Sequence, residues 1–215
     1  DPNWMPFEKF DELGNYIGLT SEYFKLFEKQ LNTSITPVKT KSWSETLKFM
    51  KDKKCDILSA AMITKSRQEY LNFTNIYLQA PLGVATKSNI PFIDDLRKVN
   101  DKKIGVVRDY SFVDYIKNKY QNLDIVEVEN VKDGLEKVEN EKIFAFISTT
   151  SDISYATQKY QFRDIKISAK LDKTLKLSIG TIKSEPLLNS VFSKLVDNID
   201  TNYQKKVNNK YFAVK

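Results

Sequence analysis

The chain has 215 residues, 41% of them hydrophobic, enough to bury one large core or two lobes of about 100 residues each. Its 34 basic and 28 acidic residues leave a net charge of +6, but they interleave in stretches such as EVENVKDGLEKVENEK, which reads as solvated helix faces and argues against a nucleic-acid partner. Histidine is absent and Cys55 is the one cysteine, so histidine-based triads, an internal disulfide and a zinc site are excluded within the chain, and nothing calls for a metal or cofactor.

The predicted elements alternate between helix and strand. Residues 20–31 place Tyr23, Phe24, Phe27 and Leu31 on one helical face. Ser42-Trp43-Ser44-Glu45 reads as a capping box that opens a helix carrying Trp43, Leu47 and Met50. DILSAAM (56–62) is short and apolar, suited to a buried strand with Cys55 as a structural thiol at its start, and PLGVATK (81–87) is extended. KIGVV (103–107) is a second buried strand, after which Ser111 starts a helix with Phe112, Tyr115 and Ile116 inward. DIVEVEN alternates as an edge strand, and Asn130 caps the helix that follows. IFAFIS (143–148) is a strand, residues 151–159 a helix, and LKLSIGTI (175–182) a further strand. Ser184 caps a last helix through Ile199, with Leu188, Phe192, Leu195 and Ile199 as its stripe. Alternating elements of this kind predict α/β units with helices on both faces of mostly parallel sheets. No apolar run approaches the roughly 18 residues of a membrane-spanning helix.

Five stretches, in order, carry a resemblance: DPNWMPFEKFDELGNYIGLTSEYFKLFEKQL, KSWSETLKFMKDKKCDILSAAMITKSRQEYLNFTNIYL, KKIGVVRDYSFVDYIKNKY, IVEVENVKDGLEKV and VNNKYF. Together they resemble the bacterial extracellular solute-binding proteins of the polar amino-acid type. The nearest likeness is to the copies that serve as periplasmic sensor domains of histidine kinases and diguanylate cyclases. The resemblance implies an α/β Venus flytrap: two lobes, each a mostly parallel sheet flanked by helices, joined by two hinge strands near residues 84–87 and 178–181. Lobe I would be residues 1–85 plus 180–215, and lobe II residues 86–179. Family members usually have a short strand before the Asp-Pro that here begins the chain, so the sequence reads as a piece of a longer protein.

From the residues alone, Arg67 is either a surface charge paired with an acid such as Glu69 or a planar fork that grips an anion through two parallel donors. The resemblance implies the second, with the ligand's carboxylate on Arg67 and with Thr64 and Ser111 supporting it. Trp4 and Trp43 would be aromatic walls, while Phe7 packs. Related binders hold the ligand's amine on an acid at the end of the IFAFIS strand. Here Thr149 stands there, leaving Asp1, Asp109 or Asp152 as substitutes. Met62 replaces a small hydroxyl residue, Asp109 a glycine, and Arg108 and Tyr110 flank it. The expected ligand is therefore an amino acid or a small carboxylate lacking positive charge.

The implied role is a periplasmic sensor domain. The full-length protein would be anchored by a transmembrane segment beyond Lys215 and able to form a homodimer. A free-standing receptor of an amino-acid transporter is the alternative. An enzyme on the same fold is the remote one, because without histidine only carboxylates or tyrosines such as Asp1, Asp109 and Tyr110 could move protons.

Overall fold

Two units share the chain, Asp1–Gln79 with Lys176–Lys215 in the first and Ala80–Leu175 in the second; the computed structural model describes residues 1–212. In the first unit β1 (Asn3–Trp4), β2 (Glu8–Phe10) and β3 (Tyr16–Ile17) form a small antiparallel sheet. They are followed by α1 (Leu19–Leu31), α2 (Trp43–Lys51), β4 (Ile57–Ala61), the single turn α3 (Lys65–Gln68) and β5 (Leu71–Phe73). β6 (Leu78–Lys87) carries the chain into the second unit. There a short 3-10 turn (Leu96–Val99) precedes β7 (Lys103–Val107), α4 (Val113–Lys119), β8 (Asp124–Val128), α5 (Val131–Glu139), β9 (Ala145–Thr149) and α6 (Thr150–Lys159). β10 (Ile165–Ile182) returns the chain, and α7 (Pro186–Asp197) and α8 (Thr201–Phe212) complete the first unit. No helix among the described residues is long and apolar enough to cross a membrane.

Local chemistry explains most of these boundaries. The Ser42 hydroxyl accepts the Glu45 N–H at 3.2 Å, and the Glu45 carboxylate reaches back to the Lys41 N–H, so the capping signal lies where the sequence set it. Asn130 accepts the Asp133 N–H at 3.0 Å and starts α5. Gly18 precedes α1 at φ 109, where a Cβ would lie 2.5 Å from the Phe7 carbonyl oxygen, so only glycine fits the turn. α1 then buries Tyr23, Phe24 and Phe27, and Phe24 and Phe27 both meet the Phe192 ring of α7, at 6.0 and 6.1 Å.

Three expectations are corrected. Ser111 does not cap α4: the helix starts two residues later, with Phe112 in the cap position and no side-chain cap bond, because the Val113 N–H is already held by the Tyr110 carbonyl in a preceding turn. Nor does Ser184 cap α7, since Pro186 takes the first helical position and shifts the cap to Glu185. The sheets also differ between units. In the second, β8 and β9 run parallel to β7, with β6 antiparallel to β9. In the first, β10 arrives reversed from the second unit and pairs antiparallel with both β4 and β5.

Two segments exceed their sequence signals. β10 is 18 residues long and begins ten residues before LKLSIGTI. α8 follows the expected last helix and buries Val207 alone; polar contacts hold it on α1, with Lys210 Nζ 2.7 Å and the Tyr211 hydroxyl 3.1 Å from Glu22 Oε1. Partial burial pushes the Glu22 carboxyl up, and these two groups more than offset it, leaving it below its ordinary value.

Gly134, in the middle of α5, gives a test of helix–sheet packing in the second unit. A Cβ there would sit against the face of the fully buried Phe146 ring, 2.9 Å from its Cγ. Helix propensity favours alanine over glycine by about 1 kcal/mol, whereas overpacking a core costs about 1–3 kcal/mol. The overlap reaches the base of an immobile ring, so packing wins. Gly134→Ala is expected to lower stability by about 1–2 kcal/mol in chemical denaturation, and an increase in stability would show that α5 does not press on β9 this closely.

Candidate functional site

The segment between β4 and β5 builds the candidate site. Thr64 caps the short turn α3 by accepting the Arg67 N–H at 3.2 Å. That bond fixes the Arg67 backbone, and its side chain folds back so that Nη1 donates to the Met62 carbonyl at 3.0 Å. The guanidinium carbon stands 5.3 Å from the centroid of the Trp43 ring, within cation–π range. Trp43 is there because the Ser42 cap makes it the first residue of α2. Arg67 is 5% exposed and Trp43 7%, so the cation is held away from bulk water, where its attraction for an anion is least screened. Thr64, Met62, Arg67 and Trp43 are thus gathered in one place. The contact between Arg67 and Trp43 is what sequence reasoning missed; Trp43's place directly after a strong cap was the available signal.

The other predicted residues form separate groups. Trp4 is buried with its ring 4.5 Å from that of Phe7, and Phe7 is wholly buried. Asp1 accepts the Asn3 N–H at 2.9 Å through Oδ1. Glu8 is the centre of a buried polar network that no sequence motif announced. The Tyr16 hydroxyl donates to its Oε2 at 2.6 Å, the Thr20 hydroxyl lies 3.2 Å away, and Ser59 donates to the same oxygen. Burial, and next the Glu8 charge, raise the Tyr16 hydroxyl well above its ordinary 10.0, and the same two causes raise Tyr77. Cys55 is half-buried, and burial with the adjacent Asp56 charge pushes its thiol up, away from nucleophilic use.

In the second unit Arg108 is half-exposed and donates through Nε to Glu127 at 2.9 Å, with Glu129 3.9 Å from Nη2, so two acids share its charge. Asp109 adopts φ 60, the left-handed conformation that suits the glycine expected there. Tyr110 and Ser111 lie half-buried in the turn beyond it, with the Tyr110 ring 5.7 Å from that of Phe112. Thr149 ends β9 and caps α6 by accepting the Asp152 N–H at 3.2 Å; Ser148 donates to Asp152 Oδ2 at 2.8 Å. Thr149 and Asp152 are both fully buried. Among the described residues no group of three or more histidine, cysteine, aspartate or glutamate side chains could hold a metal ion.

A chain that crosses twice between two α/β units has the Venus-flytrap architecture of periplasmic binding proteins. The model of the bacterial extracellular solute-binding proteins, family 3, matches residues 1–214, and the chain belongs to that family. It is 28% identical over 109 residues to the histidine-binding periplasmic protein of Escherichia coli K12, a match covering 50% of this chain and 42% of that protein. Among solved structures it resembles a histidine kinase sensor domain with similarity to periplasmic binding proteins, with a TM-score of 0.91, 16% identity, and coverage of 100% of this chain and 94% of that one. The VFT2 domain of Bordetella pertussis BvgS gives a TM-score of 0.88 at 16% identity, covering 98% of this chain and 90% of that one. At such identities these two structures show the fold alone.

Proposed function

We propose that the chain is the extracytoplasmic ligand-binding domain of a membrane-bound signalling protein, binding a small carboxylate rather than catalysing a reaction. The observation that carries this is the buried Arg67 guanidinium, fixed by the Met62 carbonyl and the Trp43 ring. A planar cation held in place, away from water, is matched to a carboxylate by geometry as well as charge. The sensor role is supported by the likeness of fold to kinase sensor domains. Its membrane segment would follow Lys215, beyond the described residues. A free-standing receptor that hands its solute to a transporter is the second reading, favoured by the sequence match to a periplasmic histidine-binding protein.

The ligand's amine is the point of choice. Thr149 spends its hydroxyl on the α6 cap, and Asp152 is wholly buried on Ser148. A carboxylate without an ammonium group therefore suits the domain better than a zwitterion. The test is a thermal-shift screen of amino acids alongside their des-amino counterparts and small dicarboxylates. Plain carboxylates are expected to raise the unfolding temperature more than matched amino acids. A preference for the amino acids would overturn the ligand class, and silence from both sets would sink the binding role itself.

A further inference from the structure

We infer that the C-terminal half of α8 is a releasable strap on α1, latched by the Glu22 carboxylate, and that it opens while the core of the first unit stays folded. The two halves of this helix are held differently. In the N-terminal half the Tyr203 hydroxyl donates to the Glu22 backbone carbonyl at 2.9 Å, and Gln204 Nε2 donates to the Tyr77 carbonyl at 3.3 Å. The Tyr203 ring also meets that of Tyr23 edge-on at 6.0 Å, and Val207 is buried just beyond. Backbone acceptors and a core ring stay in place for as long as the unit is folded.

The C-terminal half rests on a side chain instead. Lys210 Nζ lies 2.7 Å and the Tyr211 hydroxyl 3.1 Å from the same oxygen, Glu22 Oε1. The pair faces solvent, with the Lys210 side chain 60% exposed. Phe212 adds a ring contact with Phe7 at 5.8 Å but is itself exposed. By contrast, α7 buries both Phe192 and Val196. Few buried apolar groups and solvent-facing polar bonds mark a segment that opens locally, below the free energy of global unfolding. A helix this short is marginal alone in water, so a turn that leaves α1 also unwinds, and seat and helix form one two-state element. In the sensor role proposed above, on which this consequence alone rests, α8 joins the first unit to the membrane segment, and its release alters that joint. The test below needs no ligand, so its failure and the failure of the sensor role are separate results.

The experiment is backbone hydrogen exchange on the whole 215-residue chain at neutral pH. It compares the last turn of α8, residues 209–212, with residues 205–207 and with residues 23–27 of α1. In the wild type the last turn should be protected relative to an unstructured peptide, yet exchange at least about 10-fold faster than residues 23–27. Low urea should leave its rate unchanged, because a local opening exposes little surface. Glu22→Ala should speed the last turn about 3- to 10-fold, the worth of a half-open ion pair with a second hydrogen bond, and leave residues 205–207 and 23–27 within about twofold. Salt at about 1 M should speed the last turn of the wild type but not of Glu22→Gln, which keeps an acceptor and has no charge to screen.

A last turn that exchanges only together with α1, or that has no protection at all, overturns the strap. So does a Glu22→Ala variant that leaves its rate unchanged or speeds α1 equally. Salt sensitivity that survives in Glu22→Gln removes the carboxylate from the latch. If Glu22→Ala does not fold, Lys210→Met decides: a rise of about twofold confined to residues 209–212 is expected there, and no rise overturns the latch.

Discussion

Arg67→Ala is expected to abolish the ligand-induced rise in unfolding temperature while leaving the protein folded. A ligand at about 100 times its dissociation constant adds roughly 2.7 kcal/mol to stability, or about 5–10 °C in a domain of this size. Removing one partner of a hydrogen-bonded charge pair costs about 2–5 kcal/mol, which weakens binding by roughly 30-fold to several thousandfold. At the upper end the same ligand concentration falls below the new dissociation constant and the shift disappears. Arg67→Lys should fall between the two, because an ammonium keeps the charge and loses the fork. The unliganded protein should lose about 2–4 kcal/mol, since the side chain gives up a charge-assisted hydrogen bond to the Met62 carbonyl and its contact with the Trp43 ring. A shift that survives in Arg67→Ala would move the anion site elsewhere.

Glu8→Ala should be the most damaging single change in the first unit, at about 3 kcal/mol or more in chemical denaturation. The carboxylate is fully buried and accepts from Tyr16 and Ser59, with the Thr20 hydroxyl alongside. Alanine would strand those donors away from water. Tyr16 and Thr20 lie 2.5 Å apart and would pair with each other, which keeps the loss below the sum of the separate bonds. Glu8→Gln preserves shape and an acceptor oxygen and should cost about 1 kcal/mol.

The network also predicts a pH dependence. Tyr16 and Tyr77 hold their protons more tightly when folded than their ordinary 10.0, so above that pH the unfolded chain binds fewer protons than the folded one. Their contribution is fully present below about pH 10 and is lost as pH rises through the folded values. Glu8→Ala removes the charge that adds to burial and should bring the Tyr16 titration closer to its ordinary position. An unchanged tyrosine titration, followed by ultraviolet absorbance, would detach Tyr16 from Glu8.

Much of this architecture was legible because its signals are local. Ser42 and Asn130 cap helices through atoms three residues away, and KIGVV needs only its own apolar run to read as a buried strand. Segments whose structure depends on distant residues were harder to read. The first half of β10, IKISAKLDKT, mixes buried, half-buried and exposed residues without a strict alternation, its lysines weaken the apolar signal, and only the paired strands reveal its length. α8 has little apolar face, and what holds it is Glu22, far away in sequence. The site divides in the same way. The family resemblance over ITKSRQ brought out Thr64 and Arg67, whereas the contact of Arg67 with the Trp43 ring joins two elements that no periodicity connects. Glu8 sits in an unremarkable PFEKF, and its burial follows from hydroxyls on α1, β3 and β4.

The route of the chain through β6 and β10 has a consequence for how the protein is made. The second unit is one uninterrupted run, Ala80–Leu175, so all its strands and helices have been synthesised before the segment that completes the first unit leaves the ribosome. Until then Ala61 of β4 and Phe73 of β5 lack Ser178 and Gly180, which they face in the finished sheet. The inserted unit is free to fold early, while its host waits with two open strand edges of the kind that recruit other nascent chains. A chain stalled within β10 would therefore carry a finished insert in an unfinished host, and the arrival of β10 decides whether the edges of β4 and β5 are covered or left open to aggregation.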